Sequence, residues 1–137
     1  MNVERPMDIV LVKVSDLLPH EEIKPKNLEK MIKWVEKRGG FFEPVLVDKR
    51  TRTILDGHHR YNSALHFGLE MIPGIEVDYL HDDSIQVMAW AGKEHIEVTK
   101  QSVLSKAKSG NLFPPKTSKH TISTDYPQKF FPLDDLR

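Results

Sequence analysis

The polar run Asp56-Gly57-His58-His59-Arg60-Tyr61 constrains the fold more than any other part of the chain, because it joins segments of different periodicity. Residues 52–56 are rich in β-branched side chains and predict a strand. Residues 57–67 carry an apolar stripe at Tyr61, Ala64 and Leu65 and are followed by Gly68, so they predict a helix. The run therefore lies where a strand ends and a helix begins.

The remaining pattern predicts an α+β (mixed α/β) fold, a small mixed sheet with flanking helices. Strands are expected at residues 8–14, 44–48 and 73–80, and residues 84–90 fit a further strand or a helical turn. Residues 44–48 and 52–56 are separated by a short polar segment, which predicts a hairpin.

Two more helices are expected, at residues 26–38 and 99–108. The first has apolar residues at helical spacing, is followed by Gly39-Gly40, and places Trp34 beside the stripe, in the core. The second has Thr99 as its candidate N-cap and Gly110 past its end.

The chain length of 137 residues fits one compact domain, and a hydrophobic content of 39% can furnish its core. Residues 111–137 hold several prolines and little periodicity, which fits an ordered wrap or a partly mobile tail. We therefore expect a domain over residues 1–120 and a C-terminal extension over residues 121–137.

Composition excludes several classes of function. The chain has no cysteine, so it has no disulfide, thiolate zinc site or cysteine nucleophile. Lys+Arg and Asp+Glu balance at 20 each, which argues against a nucleic-acid partner. No apolar run approaches the ~20 residues of a membrane span, and residues 1–8 do not resemble a signal peptide, so no membrane partner and a cytoplasmic location are expected.

The run at residues 56–60 suits nucleotide phosphates. A helix start attracts anions through unpaired N–H groups, Gly57 allows close approach, and Arg60 can grip two oxygens at once. His58 and His59 can donate hydrogen bonds to the same oxygens. Asp56 would repel phosphate unless a cation lay between them, which implies Mg²⁺. The alternative is that Asp56 caps the helix and the imidazoles are surface groups.

Three other features bear on chemistry, and each has an ordinary alternative. Residues 116–120 offer two cations, two hydroxyls and an imidazole to phosphate oxygens, although the segment alone favours a solvated basic stretch. Glu21 follows His20 and could take a hydroxyl proton if it faced the same cleft as Asp56. The acids there also suit the dipole of the following helix. A lone tryptophan such as Trp90 is more often a core residue.

Taken together, these residues resemble the free serine kinases of the ParB/sulfiredoxin-like superfamily. The resemblance runs through ordered matches over most of the chain: Leu18 to Glu22, Pro44 to Leu46, Ile54 to Tyr61, Asp78-Tyr79 with Asp82-Asp83, Trp90, and Pro115 to His120. The chain departs from that family in two ways. Family members have a longer segment between the tryptophan and the last match, whereas only about twenty-five residues separate Trp90 from that match here. Lys119 stands where the family has arginine, and lysine keeps the charge but cannot bind two oxygens at once as arginine does.

The resemblance implies a kinase that phosphorylates free L-serine with ATP or ADP and Mg²⁺, giving O-phosphoserine. It implies that Glu21 is the base, Asp56 contacts Mg²⁺, and Trp90 lines the amino-acid pocket. The implied phosphate-binding residues are Gly57, His58, His59, Arg60, Lys116, Thr117, Ser118, Lys119 and His120.

Three rival functions belong to the same superfamily. A ParB-like nucleotide- or DNA-binding regulator resembles the chain around the motif, but nothing after Gly110 predicts the helix-turn-helix that usually follows in such proteins. Sulfiredoxin chemistry is excluded, because it needs a cysteine inside the motif. The third rival is a regulator that binds a nucleotide at the same site but has lost catalysis.

Overall fold

A four-stranded mixed sheet organises the fold in the computed structural model, which describes residues 8–123 and 127–137. The elements in chain order are β1 (Val10–Lys13), α1 (Pro25–Arg38), β2 (Gly40–Phe41), β3 (Val45–Asp48), β4 (Ile54–Asp56), α2 (His58–His66), β5 (Met71–Val77), β6 (Ile85–Ala89), α3 (Lys100–Ser109), β7 (Ser118–Ile122) and β8 (Phe131–Pro132), with 3₁₀ turns at Val14–Asp16 and Leu133–Leu136. The predicted mixed α/β class is confirmed. Residues 1–7, which entered the expectation about a signal peptide, lie outside the described residues.

The order of strands in the main sheet is β1-β5-β3-β4. β3 is parallel to β5, and the other neighbouring pairs are antiparallel, including the predicted β3–β4 hairpin. All residues of β3 are buried, as is typical of a strand covered on both faces. Two antiparallel ribbons complete the fold, β2 with β8 and β6 with β7.

The two faces of the sheet bury separate apolar cores. On one face, Val45 and Val47 pack in a cluster with Val35 of α1 and Ala64 of α2. On the other face, Leu46 lies in a cluster with Val103 of α3. This division follows from the two-residue period of a strand. Each fully buried Val, Leu or Ile side chain contributes roughly 1.5–3 kcal/mol, so both layers fix the ends of β3 and β4.

Several local predictions are confirmed. α1 ends at Gly39, which adopts the left-handed conformation with φ 77°. α3 follows Thr99, whose side chain accepts a hydrogen bond from the Ser102 N–H, and it ends at Gly110 with φ 77°. Residues 84–90 contain the strand β6 and no helical turn.

The prediction that Trp34 belongs to the core is wrong. Its side chain is 52% exposed, and the Arg38 guanidinium lies 3.8 Å from the centre of its ring. α1 buries Val35 against the sheet, and successive helical residues are separated by about 100° around the axis. Trp34 therefore points away from the face that Val35 buries.

Leu65 does not belong to the buried stripe of α2 either, since it is 51% exposed. Ser63 and Ala64 are the residues buried in that part of the helix. The expected strand at 8–14 stops at Lys13, where a 3₁₀ turn begins, and the one expected at 73–80 spans Met71–Val77.

The end of the chain wraps back onto the sheet. β7 crosses the domain boundary expected at residue 120, and β8 pairs with β2. Leu136 is fully buried in the same cluster as Val45, and its carbonyl accepts a hydrogen bond from the Glu70 N–H at 2.9 Å. No helix within the described ranges has the length and apolar character that a membrane crossing requires.

Candidate functional site

The turn between β4 and α2 is shaped by Gly57. This residue is the N-cap of α2 and has φ +104°. The Tyr61 N–H closes the first helical hydrogen bond, onto the Gly57 carbonyl at 2.9 Å. The N–H groups between them have no carbonyl partner inside the helix. Within the described structure no side chain caps α2, so Asp56 does not take the alternative role of a cap.

Asp56 and Arg60 lie on the outer side of this turn. The Asp56 side chain is 49% exposed, and its Oδ2 is 4.0 Å from Nη2 of Arg60. Arg60 is much less exposed, and its Nη1 donates a hydrogen bond to the Pro44 carbonyl at 2.6 Å. The same nitrogen lies 3.6 Å from Glu43 Oε2. The guanidinium is thus directed at the beginning of β3 and at two carboxylates.

His58 and His59 hold the loop that carries Glu21. Nε2 of His58 accepts a hydrogen bond from the His20 N–H at 3.1 Å, and Nε2 of His59 accepts one from the Lys24 N–H at 3.2 Å. Burial lowers the pKa of both imidazoles below the ordinary value, strongly for His58. The adjacent histidines therefore anchor the loop on either side of Glu21 as neutral rings.

Glu21 is fixed at the beginning of β7. Its Oε1 accepts hydrogen bonds from the Thr117 N–H at 2.9 Å, the Ser118 N–H at 2.8 Å and the Ser118 hydroxyl at 3.0 Å. Burial raises the pKa of the carboxyl, and the hydrogen bonds from residues 117 and 118 oppose that rise. The hydrogen bonds that Glu21 makes with the described residues end on Oε1, which leaves Oε2 for another partner.

His20 is fully buried beside Glu21. Its Nδ1 lies 2.7 Å from the Ile54 carbonyl oxygen, and its Nε2 lies 2.8 Å from Oγ of Ser118. Burial lowers the pKa of His20 to about 4. From the sequence, no role is predicted for His20 itself. The available signal was its position next to Glu21 in a chain with seven histidines.

The residues from 116 to 119 divide into buried hydroxyls and outer lysines. Thr117 is fully buried, and its hydroxyl donates to the Pro114 carbonyl at 2.6 Å. The Ser118 hydroxyl lies between Glu21 and His20. Lys116 is exposed and has φ +53°, while Nζ of Lys119 lies 5.0 Å from the centre of the Trp90 ring. The lysines are thus better disposed to meet an anion than the hydroxyls.

His120 faces inward on the same strand. Its Nε2 is 2.8 Å from the Tyr79 hydroxyl, and its ring centre is 5.8 Å from that of His20. Burial lowers the pKa of His120 to about 3 and raises the pKa of Tyr79. From the sequence, no role is predicted for Tyr79 itself, because its contact with His120 joins distant parts of the chain.

Trp90 is hydrogen-bonded to the same two residues that hold Glu21. Its indole N–H donates to the Ser118 carbonyl at 3.2 Å, and its backbone N–H donates to the Thr117 carbonyl at 3.0 Å. The side chain is 38% exposed. The fold thus brings together Glu21, Trp90, residues 117 to 120 and the beginning of α2, with Asp56 and Arg60 at the outer side of the turn.

Comparison with known proteins gives relatives over part of the sequence. No protein-family model matches the chain. A ParB-like protein of Sulfolobus acidocaldarius is 37% identical over 79 residues, which cover 58% of this chain and 39% of that protein. The ADP-dependent L-serine kinase of Thermococcus kodakarensis is 32% identical over 90 residues, covering 63% of this chain and 37% of the kinase. The matched region thus spans less than two-fifths of the length of these relatives.

Solved structures share the fold over nearly the whole chain. A free serine kinase in complex with AMP superposes with a TM-score of 0.85 at 18% identity, covering 97% of this chain and 95% of the kinase chain. SbnI with C-terminal truncation from Staphylococcus aureus superposes with a TM-score of 0.78 at 15% identity, covering 92% of this chain and 88% of the other. At this identity the likeness establishes the fold. The resemblance stated from the sequence is confirmed: the chain is a relative of proteins named ParB-like and L-serine kinase, and it has the fold of the free serine kinase.

Proposed function

We propose that the protein is a cytoplasmic kinase that transfers a phosphoryl group from a Mg-nucleotide, ATP or ADP, to the hydroxyl of free L-serine, giving O-phosphoserine. The observation that carries this proposal is the Glu21 carboxylate. One of its oxygens is held by three hydrogen bonds from the beginning of β7, and the other remains for an acceptor hydroxyl. The naming of relatives as L-serine kinases supports serine as the acceptor.

Glu21 accepts the hydroxyl proton of serine in this proposal. A general base works best when its pKa lies near the operating pH, and burial raises the pKa of this carboxyl. Trp90 would line the acceptor pocket, since its indole N–H donates to the carbonyl of Ser118, the residue whose N–H and hydroxyl hold Glu21. Phosphoryl transfer depends mainly on such positioning and on neutralising charge.

The phosphates would lie at the beginning of α2. The N–H groups of Gly57, His58 and His59 are the donors closest to the turn, and a helix N-terminus favours anions. Lys116, Lys119 and Arg60 would add positive charge. Nδ1 of His58 and of His59 is left to donate, because Nε2 of each ring already accepts a backbone hydrogen bond. Thr117, Ser118 and His120, which the resemblance implies as phosphate-binding residues, are hydrogen-bonded to Pro114, Glu21 and Tyr79. In this proposal they shape the cleft.

Asp56 fits a contact with Mg²⁺. Its carboxylate is half exposed and has Arg60 at 4.0 Å as an ion-pair partner. The described residues contain no group of three or more His, Cys, Asp or Glu side chains suited to holding a metal. A Mg²⁺ ion commonly takes one or two protein carboxylates and completes its shell with phosphates and water. The ion would supply charge neutralisation between the nucleotide phosphates.

An assay of the purified protein with serine and either ATP or ADP tests the proposal, with phosphoserine read by phosphorus NMR. Glu21→Gln is expected to lower the rate about 10²–10⁴-fold, the usual contribution of a general base. Glu22→Gln is the matched control, because Glu22 is exposed and its contact is a backbone hydrogen bond to Phe113. Failure to form phosphoserine with both nucleotides would remove the assignment.

A ParB-like regulator without kinase activity is the second candidate, favoured by the 37% identity to the ParB-like protein. It predicts nucleotide binding by calorimetry with no phosphoserine product. A gel shift with DNA that weakens as salt rises would favour the DNA-binding form.

A further inference from the structure

One side of α1 joins the beginning of α2 to the exposed Trp34. Lys24 is the N-cap of α1, and its N–H donates a hydrogen bond to Nε2 of His59 at 3.2 Å. Asn27, Met31 and Trp34 follow it at helical spacing. With about 100° of rotation and about 1.5 Å of rise per residue, they share one side of the helix, and Trp34 lies about 15 Å along the axis from Lys24. This side therefore runs from the proposed phosphate site to an exposed aromatic ring.

A groove lies along this side of the helix, and we call it the α1 groove. Its volume is about 350 Å³, and it is lined by Asn27, Lys30, Met31 and Trp34. Pockets for small molecules begin at about 300 Å³, so the groove has room for part of a nucleotide. The Arg38 guanidinium covers one face of the Trp34 ring, 3.8 Å from its centre. Because helical side chains lean toward the N-terminus, the other face of the ring is turned to the groove.

Positive charges gather at the Lys24 end of this side. Burial lowers the pKa of His59, and the charges of Lys116, Arg60 and Lys24 lower it further. The three cations come from separate parts of the fold: the segment before β7, the helix α2 and the beginning of α1. Like charges held together repel one another. A diphosphate or triphosphate placed among them would neutralise this repulsion.

We propose that the α1 groove holds the nucleoside of the donor, with its base stacked on Trp34, and that Lys24 binds the phosphates. This inference rests on the proposed function and extends it from the phosphates to the rest of the nucleotide. The order of groups along α1 matches the order within a nucleotide. Lys24 supplies a cation, the Asn27 amide can hydrogen-bond to the sugar hydroxyls, and Trp34 supplies an aromatic ring. Met31 packs against the core and gives the groove a fixed floor.

Binding of AMP and of pyrophosphate tests the two ends of the site without any turnover, because AMP carries a base and pyrophosphate does not. In calorimetry, Trp34→Leu is expected to weaken AMP binding about 5- to 150-fold, the range for a base stacked on an aromatic residue. It should leave pyrophosphate binding unchanged. Trp34→Phe keeps an aromatic ring and is expected to restore most of the affinity for AMP. Lys24→Gln should weaken the binding of both compounds.

Fluorescence gives a second readout of the same contact. The chain has two tryptophans, so Trp90→Phe leaves Trp34 as the single indole emitter. AMP is expected to quench its emission, and pyrophosphate is expected to leave the emission unchanged. Phe42→Leu is the matched control for the calorimetry, because Phe42 is also an exposed aromatic residue beside Arg38 but does not line the α1 groove.

An unchanged affinity for AMP in Trp34→Leu would overturn the inference, and so would an equal loss in Phe42→Leu. In the kinase assay, Trp34→Leu should raise KM for the nucleotide by the same factor and retain kcat. The inference and the proposed function can fail separately. Phosphoserine formed with an unaltered nucleotide KM in Trp34→Leu would remove the role of Trp34 and keep the kinase. Quenching of Trp34 by AMP in a protein that makes no phosphoserine would keep the α1 groove and remove the kinase.

Discussion

Gly57 meets two separate demands at one position. Its φ of +104° is one that side-chain-bearing residues rarely adopt. A Cβ at this position would lie 2.7 Å from Cγ1 of Val45. The close packing of the turn against β3 is what brings the beginning of α2 near the strand ends.

Gly57→Ala is therefore expected to lower the free energy of unfolding by about 2–4 kcal/mol, combining backbone strain with overpacking. Urea denaturation measures the loss. Gly68→Ala is the matched control, because Gly68 also has positive φ but has no atom within 4 Å of the added Cβ. The control should lose only about 1–2 kcal/mol, and equal losses would argue against the contact with Val45.

The chemistry of single residues could be predicted from sequence only in part. Residue type and order in the chain single out Glu21, Asp56 and Trp90 as candidates. The bonding of Ser118 could not be foreseen, because its partners Glu21 and His20 lie far away in sequence. For the same reason the residues 58 and 59 looked like free donors, whereas their Nε2 atoms accept hydrogen bonds from the Glu21 loop.

At the scale of elements, α3 depends on its first turn. Thr99 and Ser102 each bond the backbone of the other, forming a capping box. The helix is short, ten residues, and it buries Val103 against the sheet. The cap therefore helps to hold α3 against the face of the sheet on which Leu46 lies.

Thr99→Ala is expected to destabilise the protein by about 1 kcal/mol. Thermal unfolding followed by circular dichroism measures it. Ser105→Ala is the control, since Ser105 lies on the exposed side of the same helix and alanine has the higher helix propensity. A loss for Ser105→Ala as large as that for Thr99→Ala would contradict the role of the cap.

Elements with a local signature were predictable and those without one were not. α1, α3 and the β3–β4 hairpin follow from apolar period, caps and glycines within a few residues. β7 has the sequence SKHTI, which is largely polar and shows no apolar alternation. Its strand conformation comes from pairing with β6, which is a contact between distant segments. For this reason the sequence alone predicts only an ordered wrap or a partly mobile tail for residues 111–137.

At the scale of the whole molecule, the end of the chain is part of the core. Leu136 is fully buried, and Leu136→Ala is expected to lower the free energy of unfolding by about 2–5 kcal/mol. Leu80→Ala is the control, because Leu80 is 43% exposed. Denaturant titration of both variants measures the difference. A loss below about 1 kcal/mol for Leu136→Ala would mean that the segment contributes little.

Acid should unfold the protein through its buried histidines. Burial lowers the pKa of His20 to about 4 and of His120 to about 3, against about 6.5 in an unfolded chain. The unfolded chain then binds more protons between these values, so stability present above about pH 6.5 is lost as pH falls. Each histidine contributes up to roughly 1.4 kcal/mol per pH unit.

Glu21 acts in the opposite direction, because burial raises its pKa and the folded state then holds its proton more tightly. Denaturation at about pH 7, about 6 and about 5 should therefore show a net fall in stability toward acid. His120→Gln, which cannot titrate, should reduce that slope. A wild-type stability that stays constant over this range would contradict the buried neutral histidines.

The register of β6 against β7 decides which side chains of β7 face the site. Ala89 pairs with Ser118, Met88 with Lys119 and Val87 with His120, so alternate residues of β7 enter the interior. If the register slipped by one residue, Lys119 and Thr121 would point inward in place of Ser118 and His120. A lysine would then lie near the buried imidazoles. A change in the length of the loops on either side of α3 would therefore have to leave this pairing of the two strands unchanged.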